Sequence, residues 1–277
     1  MSLLNLNLST IFSPLGGRGI PRVSIVGAGP GDKELITVKG LKAIQNADVI
    51  LYDALVNVEL LKEAKKNTQL IFVGKRAGVK SKKQEEINYL IVQSALQYGY
   101  AVRLKGGDPF IFGRGHEELE HVRAFNIEVD VIPGISSSTS LPLLQQVPVT
   151  CRGVSESFWV LTGTTRLHQL SKDIALAAQS SATLVILMAI RKLPIIREIL
   201  LEEGKQDLPI MIIEKGSTPN ERVLISTVDK VLQDAEEQKI STPGILVIGE
   251  VVRLHPEFIK TKATAVALKN NNNEFPK

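Results

Sequence analysis

At 277 residues, with 44% hydrophobic and 22% charged side chains, the chain is long enough for two α/β domains of ordinary size and has the composition of a globular protein with a real core. Its net charge of +4, from 33 basic and 29 acidic residues, suits an anionic small substrate; no arginine-rich run or interleaved aromatic stripe argues for nucleic acid as a partner. One cysteine, Cys151, excludes an internal disulfide, and the scattered His116, His121, His168 and His255 offer no metal-ligand spacing, so metal-free chemistry is expected.

Residues 1–20 alternate Leu with Asn and then turn to Gly, without the charged start and apolar core of a signal peptide, and are expected to be a flexible tail. No apolar run reaches the roughly 20 residues of a membrane helix, so a cytoplasmic protein with no membrane partner is expected. Short apolar runs ending at Gly27, Asp53, Val73, Lys105 and Ile132 then alternate with helical stretches. Ile87, Leu90, Ile91, Ser94 and Ala95 trace one helix face, and Val38, Leu41 and Ile44 keep helical spacing. Such alternation predicts βαβ units and a parallel sheet covered on both faces, an N-terminal α/β domain over 21–134.

Pro133-Gly134 and the serine run Ser136–Ser140 break the pattern; by composition the run reads as a polar linker, compatible with lining a cleft. Further runs at Phe158–Thr162, Thr183–Leu187, Pro209–Ile213, Val223–Ser226 and Ile245–Gly249 predict a C-terminal α/β domain over 135–259. The Asn-rich end, 260–277, is expected to be disordered. His116 and His121 share one predicted helix, but their spacing puts them on different faces.

Gly27-Ala28-Gly29-Pro30-Gly31-Asp32 follows the first strand, where a dinucleotide fingerprint would sit. Asp32 takes the place of the third glycine and Pro30 lacks an N–H, so the loop repels a pyrophosphate rather than cradling it. That disfavours a nicotinamide oxidoreductase. It suits a ligand without phosphates, such as S-adenosylmethionine, although any Gly/Pro cluster could serve as a simple turn.

The same loop, with Leu35-Ile36-Thr37 and Ala47–Asp53, resembles the N-terminal signature of the tetrapyrrole methylase family. Gly74–Gly78, Gln84–Asn88, the block Val102–Gly115, Val131–Ile135 and Val147–Arg152 resemble its uroporphyrinogen-III branch. The likeness runs over about residues 22 to 255 with the motifs in order. It implies two αβα domains of the class III methyltransferase kind, with mainly parallel or mixed sheets and an active site in the cleft between them, a homodimer, and S-adenosylmethionine as methyl donor with S-adenosylhomocysteine as product. It implies C-methylation of uroporphyrinogen III, an anionic tetrapyrrole, at two pyrrole carbons, C2 and C7. Precorrin-2 would form via precorrin-1, for sirohaem or cobalamin.

By resemblance the donor contacts fall on Pro30, Gly106, Gly107, Asp108, Ile111, Ser136, Ser137, Met188 and Gly216. Gly106 and Gly107 also end a strand at the carboxyl edge, where open α/β sheets bind ligands, and lack the Cβ that would keep a ligand off the backbone. Asp108 could accept from the donor's hydroxyls or ammonium, or only cap the turn before Pro109; a Met in the place of Met188 more often fills core. Asp53, at the end of the second strand, matches the family's proton acceptor, a general-base role, with turn capping as the plainer alternative. The resemblance makes Lys75 the complementary proton donor, while its chemistry equally allows pairing with a substrate carboxylate. Arg76, Arg114 and Arg152 are the candidates for the substrate's carboxylates, because a guanidinium fork matches a carboxylate.

The chain departs from the family at Val79, Cys151 and Thr164, where members commonly carry His at or near the position. No fused dehydrogenase and ferrochelatase module is recognisable, so a single activity is expected. Rival readings are a methylase of a later corrinoid precursor, one acting on another small substrate or RNA, and a non-catalytic S-adenosylmethionine sensor, which would gain nothing from Asp53 and Lys75.

Overall fold

The computed structural model describes residues 20–74 and 83–258. Both tail expectations, apart from Ile20, and the positions Lys75, Arg76 and Val79 lie outside the described residues. The chain divides into two compact units, one holding 20–29 and 33–134, the other 30–32 and 135–258.

The first unit contains β1 (Arg22–Gly27), α1 (Val38–Asn46), β2 (Val49–Tyr52), β3 (Gln69–Phe72), α2 (Gln84–Tyr98), β4 (Tyr100–Lys105), α3 (Gly115–Arg123) and β5 (Glu128–Ile132). Its sheet runs in the order β3-β2-β4-β1-β5 and every pairing is parallel. Two cores flank the sheet, as they must when both faces carry apolar side chains. Ile25, Leu51 and Ala101 pack with Ile91, Ala95, Leu119 and Val122 on the side of α2 and α3. Val26, Ile50, Val102 and Leu104 pack with Ala43 and Ile44 of α1 on the other.

Helix α2 buries the predicted face, with Ile91, Ser94 and Ala95 buried and Ile87 and Leu90 packed against the core. Helix α1 does not. Val38 is 71% exposed, and the buried face is Gly40, Ala43 and Ile44. Thr37 caps the helix by accepting from the Gly40 N–H at 3.1 Å. Gly40 then lies so close to the sheet that a Cβ would sit 3.2 Å from Val26 Cγ1. Small residues let the helix lie flat, which leaves the first-turn valine in solvent.

The second unit contains α4 (Ser137–Leu144), β6 (Phe158–Thr162), α5 (Asp173–Gln179), β7 (Thr183–Leu187), α6 (Leu193–Glu202), β8 (Pro209–Glu214), β9 (Arg222–Thr227), α7 (Val231–Glu237) and β10 (Gly244–Ile248). The sheet order is β6-β7-β10-β8-β9; β6 and β7 are parallel, and the other three pairings are antiparallel. The serine run is not a linker. Ser136 is the N-cap of α4, its Oγ accepting from the Ser138 N–H at 3.3 Å, and Ser137–Ser140 form the first turn. No helix among the described residues is long and apolar enough to cross a membrane.

His255 closes this unit after a 3-10 turn, buried, with Nδ1 accepting the Glu257 N–H at 3.2 Å. Burial pushes its pKa below the ordinary imidazole value, with the Glu257 carboxylate opposing in part. The folded state therefore binds fewer protons than the unfolded chain. The stability this group contributes is complete above the ordinary value of about 6.5 and is lost as the pH falls through the folded value. Asn in its place can accept the same N–H without titrating. His255→Asn is expected to flatten the fall in urea midpoint between about pH 7.5 and about pH 5, and an unchanged slope would contradict this origin.

Candidate active site

In a wholly parallel sheet the strand-to-helix loops collect at the carboxyl edge, and there β1, β4 and β5 end in glycines that touch main chain to main chain. A Cβ on Gly27 would lie 2.5 Å from Gly134 Cα and 2.7 Å from the Gly107 carbonyl oxygen. Gly107 and Gly29 exchange N–H···O=C bonds at 2.7 and 3.3 Å. Gly107 has φ +68°, and a Cβ built there meets nothing within 4 Å. Glycine is needed at 107 for its backbone angle, and the space beyond it is open to a ligand. Gly106, by contrast, packs on Leu55, whose Cβ would stand 2.5 Å from an added Cβ.

Gly107→Ala has room for its methyl group but must hold an unfavourable left-handed backbone, at about 1–2 kcal/mol. The variant is expected to fold at a lower urea midpoint, and its methyl group, standing in the space open at Gly107, is expected to lower S-adenosylhomocysteine affinity roughly tenfold or more in calorimetry, about 1.4 kcal/mol. Unchanged affinity would remove Gly107 from the donor contacts.

Asp108 takes the capping role and more. Its Oδ1 accepts from Phe110 N at 2.8 Å, and Oδ2 accepts from Gly134 N at 3.1 Å, so it ties the β4 loop to the end of β5. Each oxygen keeps a further lone pair for a ligand. The following loop exposes Phe110, Ile111 and Phe112, and Phe112 and Arg114 adopt left-handed backbone (φ 52° and 59°). Arg114 is half exposed, and its fork grips Glu117 at 2.8 and 2.6 Å.

Asp53 follows β2 on the same edge. Its Oδ1 accepts from Leu55 N at 3.0 Å, the turn-capping alternative, while Oδ2 lies 3.5 Å from Arg103 Nη2. Behind it is a buried charge cluster. Arg103 Nε donates to Glu118 Oε1 at 3.1 Å and Lys105 Nζ to the same oxygen at 3.0 Å, with Gln84 Nε2 at 3.2 Å. Glu118 is fully buried, and Arg103 and Lys105 are 3% and 4% exposed. Burial holds the Lys105 ammonium below the usual lysine range, with the Arg103 charge adding to it and the Glu118 carboxylate opposing.

Sequence reasoning passed over this cluster. Its signal was present: Arg103 and Lys105 lie two apart in a central strand, hence on one face, and charges so placed require a buried partner.

In the second unit the predicted positions gather after β7 and β8 and at the start of α4. Gly216 packs on Leu141 of α4, where an added Cβ would meet Cδ1 at 2.5 Å, and its neighbours Lys215 and Ser217 have φ 49° and 56°. Ser217 Oγ accepts from Asp32 N at 3.0 Å, which ties the loop after Pro30 to the segment after β8. Met188 does not fill core. It is 49% exposed with φ 56°, and its carbonyl accepts from Thr164 Oγ1 at 3.1 Å. Ser136 and Ser138 hydroxyls share a 2.8 Å hydrogen bond, and Ser137 begins α4. Arg152 is exposed in a turn beside half-buried Cys151.

The donor set fits S-adenosylmethionine. Glycine backbone leaves open space at Gly107, and carboxylates for a cation stand at Asp53 and Asp108.

A family model, Tetrapyrrole (Corrin/Porphyrin) Methylases, matches residues 22–232, and the chain belongs to that family. It is 46% identical to a uroporphyrinogen-III C-methyltransferase of Methanocaldococcus jannaschii over 235 residues, 84% of this chain and 97% of that one. It is 42% identical to a siroheme synthase of Actinobacillus pleuropneumoniae over 85% of this chain, although only 48% of that longer protein. Among solved structures, it resembles the uroporphyrin-III C-methyl transferase of Thermus thermophilus complexed with S-adenyl homocysteine, at 36% identity and a TM-score of 0.71, over 84% of this chain and 99% of that one.

Proposed function

We infer that this chain methylates two pyrrole carbons of uroporphyrinogen III, C2 and C7, with S-adenosylmethionine as donor, releasing precorrin-2 by way of precorrin-1. The observation that carries the reading is a carboxylate, Asp53, held through both oxygens on the same sheet edge as the glycine backbone of Gly106 and Gly107. Full-length similarity to a relative named for this activity supports it.

When bound, S-adenosylmethionine supplies an electrophilic methyl group. Gly106, Gly107, Asp108 and Ile111, with Pro30, Ser136, Ser137, Met188 and Gly216, are the residues assigned to hold it. Little more than alignment is asked of them, because most of the acceleration of such a transfer comes from positioning. Once the pyrrole carbon bears the new methyl it has four carbon neighbours and no hydrogen, so the positive charge left on the macrocycle is relieved by breaking a C–H or N–H bond elsewhere in it. That bond's electron pair stays in the macrocycle and the proton bonds to an Asp53 oxygen. Lys75 is assigned the complementary proton-donor role.

Arg76, Arg114 and Arg152 are assigned to the substrate's carboxylates; for Arg114 this means exchanging Glu117 for a substrate group. The exposed Phe110, Ile111 and Phe112 offer apolar surface to a flat macrocycle. A metal-free enzyme, working as a homodimer in the cytoplasm, completes the reading.

The test is to incubate the purified chain with S-adenosylmethionine and uroporphyrinogen III and follow the tetrapyrrole by mass. Two added methyl groups are expected. No added methyl, or methylation only of a later corrinoid precursor, would refute the assignment.

A further inference from the structure

Arg103 sits level with Leu51 of β2 in the parallel register, one strand over from Asp53. Its guanidinium is almost wholly committed. Nε is held by Glu118 Oε1 at 3.1 Å and Nη1 by the Leu104 carbonyl at 2.8 Å, which leaves Nη2 facing Asp53 Oδ2 at 3.5 Å. At 3% exposure the side chain has no solvent to swing into. Lys105, 2.9 Å from Glu118 Oε2, already matches the Glu118 charge, so the Arg103 charge is the one left for Asp53. Asp53, Arg103, Lys105 and Glu118 thus form two pairs of opposite formal charge.

We propose that Arg103 is a positioning residue for methyl transfer: anchored through Glu118, it fixes the plane and charge of the Asp53 carboxylate so that the remaining lone pairs receive the ring proton. The proposal rests on Asp53 being the proton acceptor. Arg103 touches neither donor nor substrate in this role. It keeps its own proton throughout.

The experiment is a double-mutant cycle in the full chain, with Asp53→Asn, Arg103→Met and the pair assayed at saturating S-adenosylmethionine and uroporphyrinogen III. Folding is checked by circular dichroism. Arg103→Met is expected to lower kcat by about tenfold or more while both KM values stay within about twofold. In the Asp53→Asn background the same change should alter kcat by less than about twofold, because the group it positions is gone. A purely structural role would lower kcat equally in both backgrounds.

Arg103→Lys keeps the charge without the fork and should recover part of the rate; it replaces Arg103→Met in the cycle if that variant fails to fold. Equal losses in both backgrounds, or wild-type kcat in a folded Arg103→Met protein, overturn the proposal. If Asp53→Asn alone retains wild-type kcat, the proton-acceptor assignment falls and takes this inference with it, a result distinct from additive losses.

Discussion

Asp53→Asn is expected to lower kcat by about 10²–10⁴, the usual contribution of a positioned general base, while S-adenosylhomocysteine affinity changes little. The amide oxygen can still accept from Leu55 N, so the turn after β2 should keep its shape. What is lost is the acceptor for the ring proton and the counter-charge to Arg103. Arg103 is buried but keeps Glu118 as a charged partner, and Asp53 is 24% exposed at the rim of the cluster, so the fold should survive. Asp53→Glu keeps the charge but displaces it by one methylene, and should fall between wild type and Asn. Single-turnover methyl transfer is the decisive measurement, because slow product release cannot mask a lost chemical step there. Asn at the wild-type rate would return Asp53 to a turn cap.

Removing the anion at the centre of the buried cluster should cost the most stability. Glu118→Ala leaves Arg103 Nε and the Lys105 ammonium without the carboxylate both use, at a site with no solvent exposure. Breaking a buried ion pair from one side typically costs about 3–5 kcal/mol, which urea denaturation would read as a lower midpoint. Replacing Glu118 by Gln together with Lys105 by Met removes one charge of each sign and should recover much of that loss. A pH signature is also expected. Lys105 has a folded pKa below the lysine range, so the folded state sheds its proton before the unfolded chain does. Stability therefore rises with pH through that interval, and the Glu118→Ala deficit should shrink under alkaline conditions. A deficit independent of pH would mean that lost packing, not stranded charge, is the cause.

The alternation of apolar runs and helical faces made the first unit legible, down to most strand ends, because a parallel sheet covered on both faces leaves little freedom in pattern. Side-chain facing was less secure. Val38 fits a helical spacing, yet the contact is made by Gly40 and Ala43, since close approach of α1 to β1 favours small residues that carry little hydrophobic signal. The antiparallel half of the second sheet was open to inference. Residues 215–221 between β8 and β9 leave no space for a crossover helix, which only an antiparallel pair tolerates. Ser136–Ser140 looked like linker because composition alone does not separate a capped helix start from a loop. A Met at 188 more often fills core, and only the resemblance makes it a donor contact; the left-handed backbone and half-exposed side chain after β7 are invisible in sequence. The pairing of Arg103 and Lys105 with Glu118 is a tertiary fact; the strand announced a need for a carboxylate, and nothing local said which one.

Where Gly27, Gly107 and Gly134 meet, the edge of the first unit is built from main chain alone. Such a junction offers no side chain that mutation could lengthen, shorten or recharge by degrees. Any residue other than glycine at 27 or 134 drives a carbon into backbone, so variation there is all or nothing. New specificity in a descendant would have to come from adjustable loops such as Phe110–Phe112, while this joint is inherited unchanged or forfeited.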